Sequence, residues 1–220
     1  TTANALSDGS HSLTVTAKDI AGNEGLASPA LTVSIDTAAP TSPSEPDLAA
    51  ASDNGSSSTD NVTGITTPEF TGTCTTGDTI TIFVDGNSSG DSALCTTNTY
   101  SVSISNPLNN GAFLISARAS DVAGNISTPS TDLTITVDTT AANAPAAPDM
   151  TTATDTGSSS DDNITSDTTP IFTGSCTNAD TIALYVNGVA TGDNAVCSSS
   201  TYVVTALTPL ADGNYTITST

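Results

Sequence analysis

The chain repeats itself at a fixed offset of 102 residues. The stretch SDNGSSSTDNVTGITTPEFTGTC, Ser52 to Cys74, recurs as TDTGSSSDDNITSDTTPIFTGSC, Thr154 to Cys176. Between 45–118 and 147–220 there are 35 identities in 74 positions without a gap, so loop lengths are preserved along with strands. The same offset carries AKDIAGN (Ala17–Asn23) onto ASDVAGN (Ala119–Asn125), and SIDTAAP (Ser34–Pro40) onto TVDTTAA (Thr136–Ala142). A period of about 100 residues is one small domain with its own core. This argues against a single 220-residue domain and against a solenoid sharing one core. The expected division is 1–44, the C-terminal part of a repeat; 45–146, a complete repeat; and 147–220, the N-terminal part of a third. A sequence that starts and stops inside a repeat is expected to be a stretch of a longer repetitive protein.

Within the complete unit, short alternating segments are bounded by Gly, Asn, Asp, Ser and Pro, which is the strand signature. Phe70, Gly72 and Cys74 share one face. Ile80, Ile82 and Val84 share the next, ending at the turn pair Asp85–Gly86. Tyr100, Val102 and Ile104 follow, then Phe113, Ile115, Ala117 and Ala119, then Leu133, Ile135 and Val137. Short strands near Asp47–Ala51 and Ala93–Cys95 bring the count to about seven. Thr, Ser, Asp, Asn and Gly are poor helix formers. The fold expected is all-β: tandem immunoglobulin-like β-sandwiches of about seven antiparallel strands each. They are joined by the Pro-rich linkers Asp36–Asp47 and Asp138–Asp149, which act as semi-rigid spacers.

The combination D-x-G-S-S-S-x-D-N-[VI]-T-x-x-T-T-P-x-F-T-G, then D-[VI]-A-G-N, then [IV]-D-T-[TA]-A, resembles the tandem bacterial Ig-like repeats of giant surface adhesins and biofilm-associated proteins. The resemblance covers the whole chain. It implies an extracellular, cell-surface location and a run of domains whose neighbours are repeats of the same chain. Most such repeats lack a cysteine pair, and here this chain departs from the pattern.

Cys74 and Cys95 lie 21 residues apart, and Cys176 and Cys197 repeat the spacing. A pair per repeat in a secreted-looking chain suggests an intradomain disulfide. Free buried thiols and a metal site are the alternatives, the second weakened by the absence of any CxxC. The bridge is expected to tie the end of the second strand to a middle strand. It is not expected to be the two-sheet bridge of antibody domains, which spans a longer separation.

The formal charge is −21, from 23 acids against 2 cations. Two cations cannot supply the basic footprint of nucleic-acid binding or of adhesion to anionic lipid. No apolar run is long enough to span a membrane, so no membrane insertion is expected within this segment. Asp numbers 20 and Glu 3. Asp favours turns, and clustered carboxylates in rigid loops also supply oxygen ligands for Ca²⁺. The candidate ligands are Asp53 and Asp60, repeated as Asp155 and Asp162; Asp121 in DVAGN; Asp36 and Asp138 at the strand ends; and Asp149. In an Ig topology Asp60, Asp138 and Asp149 are expected to meet at a linker. The resemblance adds that related adhesin repeats stiffen their junctions with Ca²⁺.

Nothing in the sequence assembles a catalytic set. A hydroxyl nucleophile needs a base, and the one histidine, His11, is in phase with Phe113 and Tyr215, which marks an edge or core position. The leading functional reading is a structural spacer or shaft holding a distal binding tip away from the cell. The alternative is a glycan- or protein-binding module using sandwich-end loops, although those loops lack aromatic or Arg anchors. A third reading has other copies completing a fibre.

Overall fold

Alternating apolar and hydroxyl residues form strands throughout the computed structural model, which describes residues 5–220. The first four residues of the expected 1–44 segment lie outside the described part. All named elements are β-strands, and no helix among the described residues is long and apolar enough to cross a membrane. The chain forms two compact units, residues 1–139 and 140–220.

The first unit opens with a hairpin of β1 (Gly9–Leu13) and β2 (Leu31–Ile35). The complete repeat follows: β3 (Asp47–Leu48), β4 (Val62–Thr63), β5 (Glu69–Thr73), β6 (Thr79–Val84), β7 (Asn87–Leu94), β8 (Thr99–Ser103), β9 (Gly111–Ser120) and β10 (Leu133–Val137). One sheet has the order β3-β5-β8 and the other β4-β10-β9-β6-β7. Phe70 and Val102 on the first face Ile80, Ile82, Ile115, Ala117, Ile135 and Val137 on the second, all 4% exposed or less. This is the two-sheet sandwich expected from the alternation.

Two details differ from the sequence reading. The repeat has eight strands, and one is not antiparallel: β4 pairs in parallel with the end of β10. At two residues, β4 is too short to show a period. In addition, β7 runs from Asn87, well before the short strand expected near Ala93. Its sequence, NSSGDSAL, hides it. It is an edge strand, so few of its side chains reach the core and alternation in hydrophobicity is faint. The β6–β7 turn needs positive φ at both central residues, and Asp85 (49°) and Gly86 (76°) provide it.

The second unit repeats the architecture with β11 (Asp149–Met150), β12 (Ile171–Ser175), β13 (Thr181–Val186), β14 (Val189–Val196), β15 (Thr201–Thr205) and β16 (Ile217–Ser219). Its sheets are β11-β12-β15 and β14-β13-β16, with Phe172, Leu184, Tyr202 and Val204 between them.

Gly72 and Gly174 are required by packing and not by backbone conformation. A Cβ on Gly72 would sit 2.6 Å from the Tyr100 ring, and one on Gly174 2.6 Å from Tyr202. Each tyrosine lies across the glycine opposite it on the neighbouring strand. Replacing Gly72 by Ala forces the buried ring aside, and overpacking of this kind costs about 1–3 kcal/mol. Urea unfolding of the Gly72→Ala variant should show that loss, with an unchanged m-value.

Candidate functional site

The four cysteines form two bridges, Cys74–Cys95 and Cys176–Cys197, each with Cα atoms 6.0 Å apart. Cys74 follows β5 in one sheet and Cys95 follows β7 in the other, so the bridge does cross between sheets. The pairing and the two strands it ties are as the sequence implied; the crossing between sheets is not, and corrects that part of the expectation. The separation is short because β7 is an edge strand, and the chain passes to the opposite sheet directly after it. Cys74 N–H also donates to Asn98 O, and Cys95 N–H to Asp78 O, which stitches the same corner.

The segment between β3 and β4 wraps around one carboxylate. Asp53 is 3% exposed. Its Oδ2 accepts from Asn61 N–H, while Oδ1 is buried without a hydrogen-bond partner. Thr63 Oγ1 donates to Ser52 O and accepts from Ile65 N–H; Ser52 Oγ accepts from Glu69 N–H. Asp60 Oδ1 caps Val62 N–H at 3.1 Å, and Asn61 takes the left-handed conformation, φ 59°. The second unit builds the same loop. Asp155 is 3% exposed, its Oδ2 accepts from Asn163 N–H at 3.1 Å, and its Oδ1 is likewise unpartnered. Asp162 caps Ile164 N–H, and Thr165 Oγ1 donates to Thr154 O. Buried Asp78 also has an unpartnered oxygen, but its in-phase counterpart Asp180 does not share it.

Asp138 lies beside this loop in the first unit. Its N–H donates to Thr63 O at 2.8 Å, and its carbonyl lies 3.6 Å from where a Cβ on Gly64 would be. Asp149 is in the second unit, exposed on β11. Its counterpart Asp47 acts with burial to push the Tyr100 phenol above its ordinary pKa, burial being the larger cause. Asp36 and Asp121 come together through Asn125: Asp121 Oδ2 accepts from Asn125 Nδ2, which also donates to Asp36 O. Among the described residues no three His, Cys, Asp or Glu side chains converge on one point. His11 Nε2 lies 2.7 Å from Ser7 O.

The sequence profile of the bacterial Ig-like domain matches three consecutive stretches, 1–37, 40–139 and 141–220. The chain belongs to the bacterial Ig-like domain family. No curated protein matches it by sequence. Similar solved structures include one from work on host cell surface retention of a 1.5-MDa bacterial ice-binding adhesin. It is 20% identical, with 97% of this chain and 73% of that one covered and a TM-score of 0.35. The fibronectin(III)-like modules of Clostridium thermocellum CbhA are also 20% identical, over 60% of this chain and 64% of that one, with a TM-score of 0.38. These likenesses are remote and say nothing about function.

The complete repeat and the second unit each carry a further acid that braces an edge strand. Asp91 on edge strand β7 accepts from Ser105 N–H at 3.0 Å, and Asp193 accepts from Leu207 N–H at 3.3 Å. Both tie an edge strand to the chain leaving the opposite sheet. The recurrence of Asp91 as Asp193 at the 102-residue offset is visible in the sequence, but the bond is not, because each donor lies 14 residues away beyond another strand. The Ser105 N–H, and secondarily the Ser105 side chain, hold the Asp91 carboxyl below its usual pKa.

Two outcomes follow from this geometry. Replacing Cys74 and Cys95 together by Ala should lower the stability of the complete repeat by about 3 kcal/mol, the chain-entropy value for a loop of this length, read by denaturant unfolding. Because the folded pKa of Asp91 lies below the unfolded value of about 3.9, its contribution is fully present above that value. It disappears as pH falls through the folded pKa. Asp91→Asn should therefore destabilise by about 1 kcal/mol at pH 7, allowing for solvent screening. The gap from wild type should close in acid.

Proposed function

We propose that these Ig-like repeats are a non-catalytic spacer of a bacterial cell-surface adhesin or extracellular filament, holding a distal binding region away from the cell. The observation that carries this reading is the run of three in-phase Ig-like matches, one of them a complete sandwich with its own core. A repeat that buries its own core can be added to a row without remaking its neighbours. The Pro-rich segments between repeats favour extension over folding back. Two bridges per 220 residues suit an oxidising, extracellular setting.

Ten strand residues in β9 span roughly 33 Å, so each repeat with its linker should lengthen an array by about 40 Å. Small-angle scattering on arrays of increasing repeat number tests this. Maximum dimension should grow linearly with repeat number; growth as the cube root, the signature of a globule, would refute the spacer.

Calcium is the ion proposed for the loop around Asp53, with Asp60, and for its counterpart around Asp155, with Asp162. The fit rests on the unpartnered Oδ1 of each buried aspartate. Leaving such a group unsatisfied costs about 1–3 kcal/mol, more when it is charged, and a hard cation would relieve that. Ca²⁺ takes about six to eight oxygens, so backbone carbonyls, hydroxyls and water would supply most of them. The Asp36–Asn125–Asp121 contact is a second place where such an ion would join two repeats. Saturating Ca²⁺ at about 100 times its Kd should stabilise the complete repeat by about 2.7 kcal/mol. Asp53→Asn should remove most of that gain. Identical melting with Ca²⁺ and with EDTA would eliminate calcium from this loop.

A further inference from the structure

The Asp-x-Ala-Gly-Asn turn joining β9 to β10 has two faces. Toward its own repeat, Asp121 Oδ1 accepts from Asn125 N–H and Oδ2 accepts from Asn125 Nδ2, both at 2.9 Å. Toward the preceding segment, Asn125 Nδ2 donates to the backbone carbonyl of Asp36 at 3.1 Å. Asp36 directly follows β2, the last strand of the preceding Ig-like segment. The two amide hydrogens are thus divided between the turn and the neighbour, and Asp121 leaves the side chain little freedom to point elsewhere.

The same turn occurs one period earlier. Asn23 N–H donates to Asp19 Oδ1 and Asn23 Nδ2 to Asp19 Oδ2, both at 2.8 Å. Asp19–Asn23 therefore has the same internal bonds, all within five residues, so the turn's shape is set inside its own repeat, which lowers the entropy lost when a neighbour arrives. Hydrogen bonds between Ser42 and Thr128, and from Thr131 to Glu45, hold the linker along the same flank.

We propose that this turn is the surface on which each repeat receives the one before it, and that Asn125 sets the angle of the joint. The partner is an N-terminal Ig-like repeat, recognised through the carbonyl that closes its last strand. A backbone acceptor tolerates any side chain at that position. The joint therefore does not depend on metal, and any calcium at Asp36 and Asp121 would reinforce a contact already made. The inference rests on the spacer reading only for its purpose.

The test uses two in-phase copies of residues 38–139, a stretch that contains the whole core of the complete repeat. Spin labels, one per copy, report the distance distribution between repeats, with EDTA present throughout. Asn125→Ala in the second copy should broaden the distribution, its docked-to-undocked ratio falling about two- to ten-fold, as expected for one net hydrogen bond. Asn125→Ala in the first copy, where no repeat precedes the turn, should leave the distribution unchanged, and both variants should melt alike, each having lost the bond from Asn125 Nδ2 to Asp121 Oδ2. An unchanged distribution in the second-copy variant would overturn the proposal, as would equal broadening from the first-copy variant. Neither result bears on the spacer, which is judged by how array length grows.

Discussion

Phe70 and Val102 on one sheet close against Ile80, Ile82, Ile115, Ile135 and Val137 on the other, and the rest of the repeat depends on that closure. Ile115 and Leu133, which β9 and β10 present to the opposite layer, are 0% and 9% exposed. Features at the rim serve the same closure: the disulfide crosses between sheets at one corner, Asp91 ties down the edge strand, and β4 adds a parallel pair at the end of β10.

The shape of the repeat was legible because strand positions carry aliphatic residues at a period of two and because the chain shows each position twice. Phe70, Ile80, Ile82, Tyr100, Val102, Ile115 and Ile135 all fall in the core as the alternation implies. What the alternation could not show were β4, two residues long, and most of β7, whose polar side chains face solvent at an edge. The crossing of the disulfide was not legible either, since alternation marks strands without saying which layer each one joins. Asp53 stood out by recurrence, but its burial did not. A carboxylate in a Ser-rich loop looks exposed until Ser52, Asn61 and Thr63 are seen to close around it.

The net charge of −21 would be costly if the acids crowded together, because charges closer than about 10 Å are poorly screened at 0.1 M salt. The repeat spreads them over turns and strand ends, and most of those with a described bond accept a backbone or amide N–H. Charge of one sign along the flanks also discourages lateral association of neighbouring rows. Gly90 reinforces this at the open edge. Its φ of 87° lies in a strand whose register with β6 shifts between Thr81 and Phe83, and a bulge of this kind bends an edge away from a partner strand.

The preference for Asp over Glu, 20 to 3, has a geometric cause. Asp19 accepts from the N–H groups of Ala21 and Asn23, Asp36 from Ala38, Asp60 from Val62, Asp121 from Asn125, Asp162 from Ile164 and Asp167 from Thr169. Every one of these acceptors reaches a donor two to four residues ahead, a distance that suits one methylene. A second methylene would carry the carboxylate past the donor and leave the turn unbraced. These six acids are therefore turn-forming residues first. Their negative charge, and any cation it attracts, comes as a consequence of using the shortest carboxylate to brace a turn.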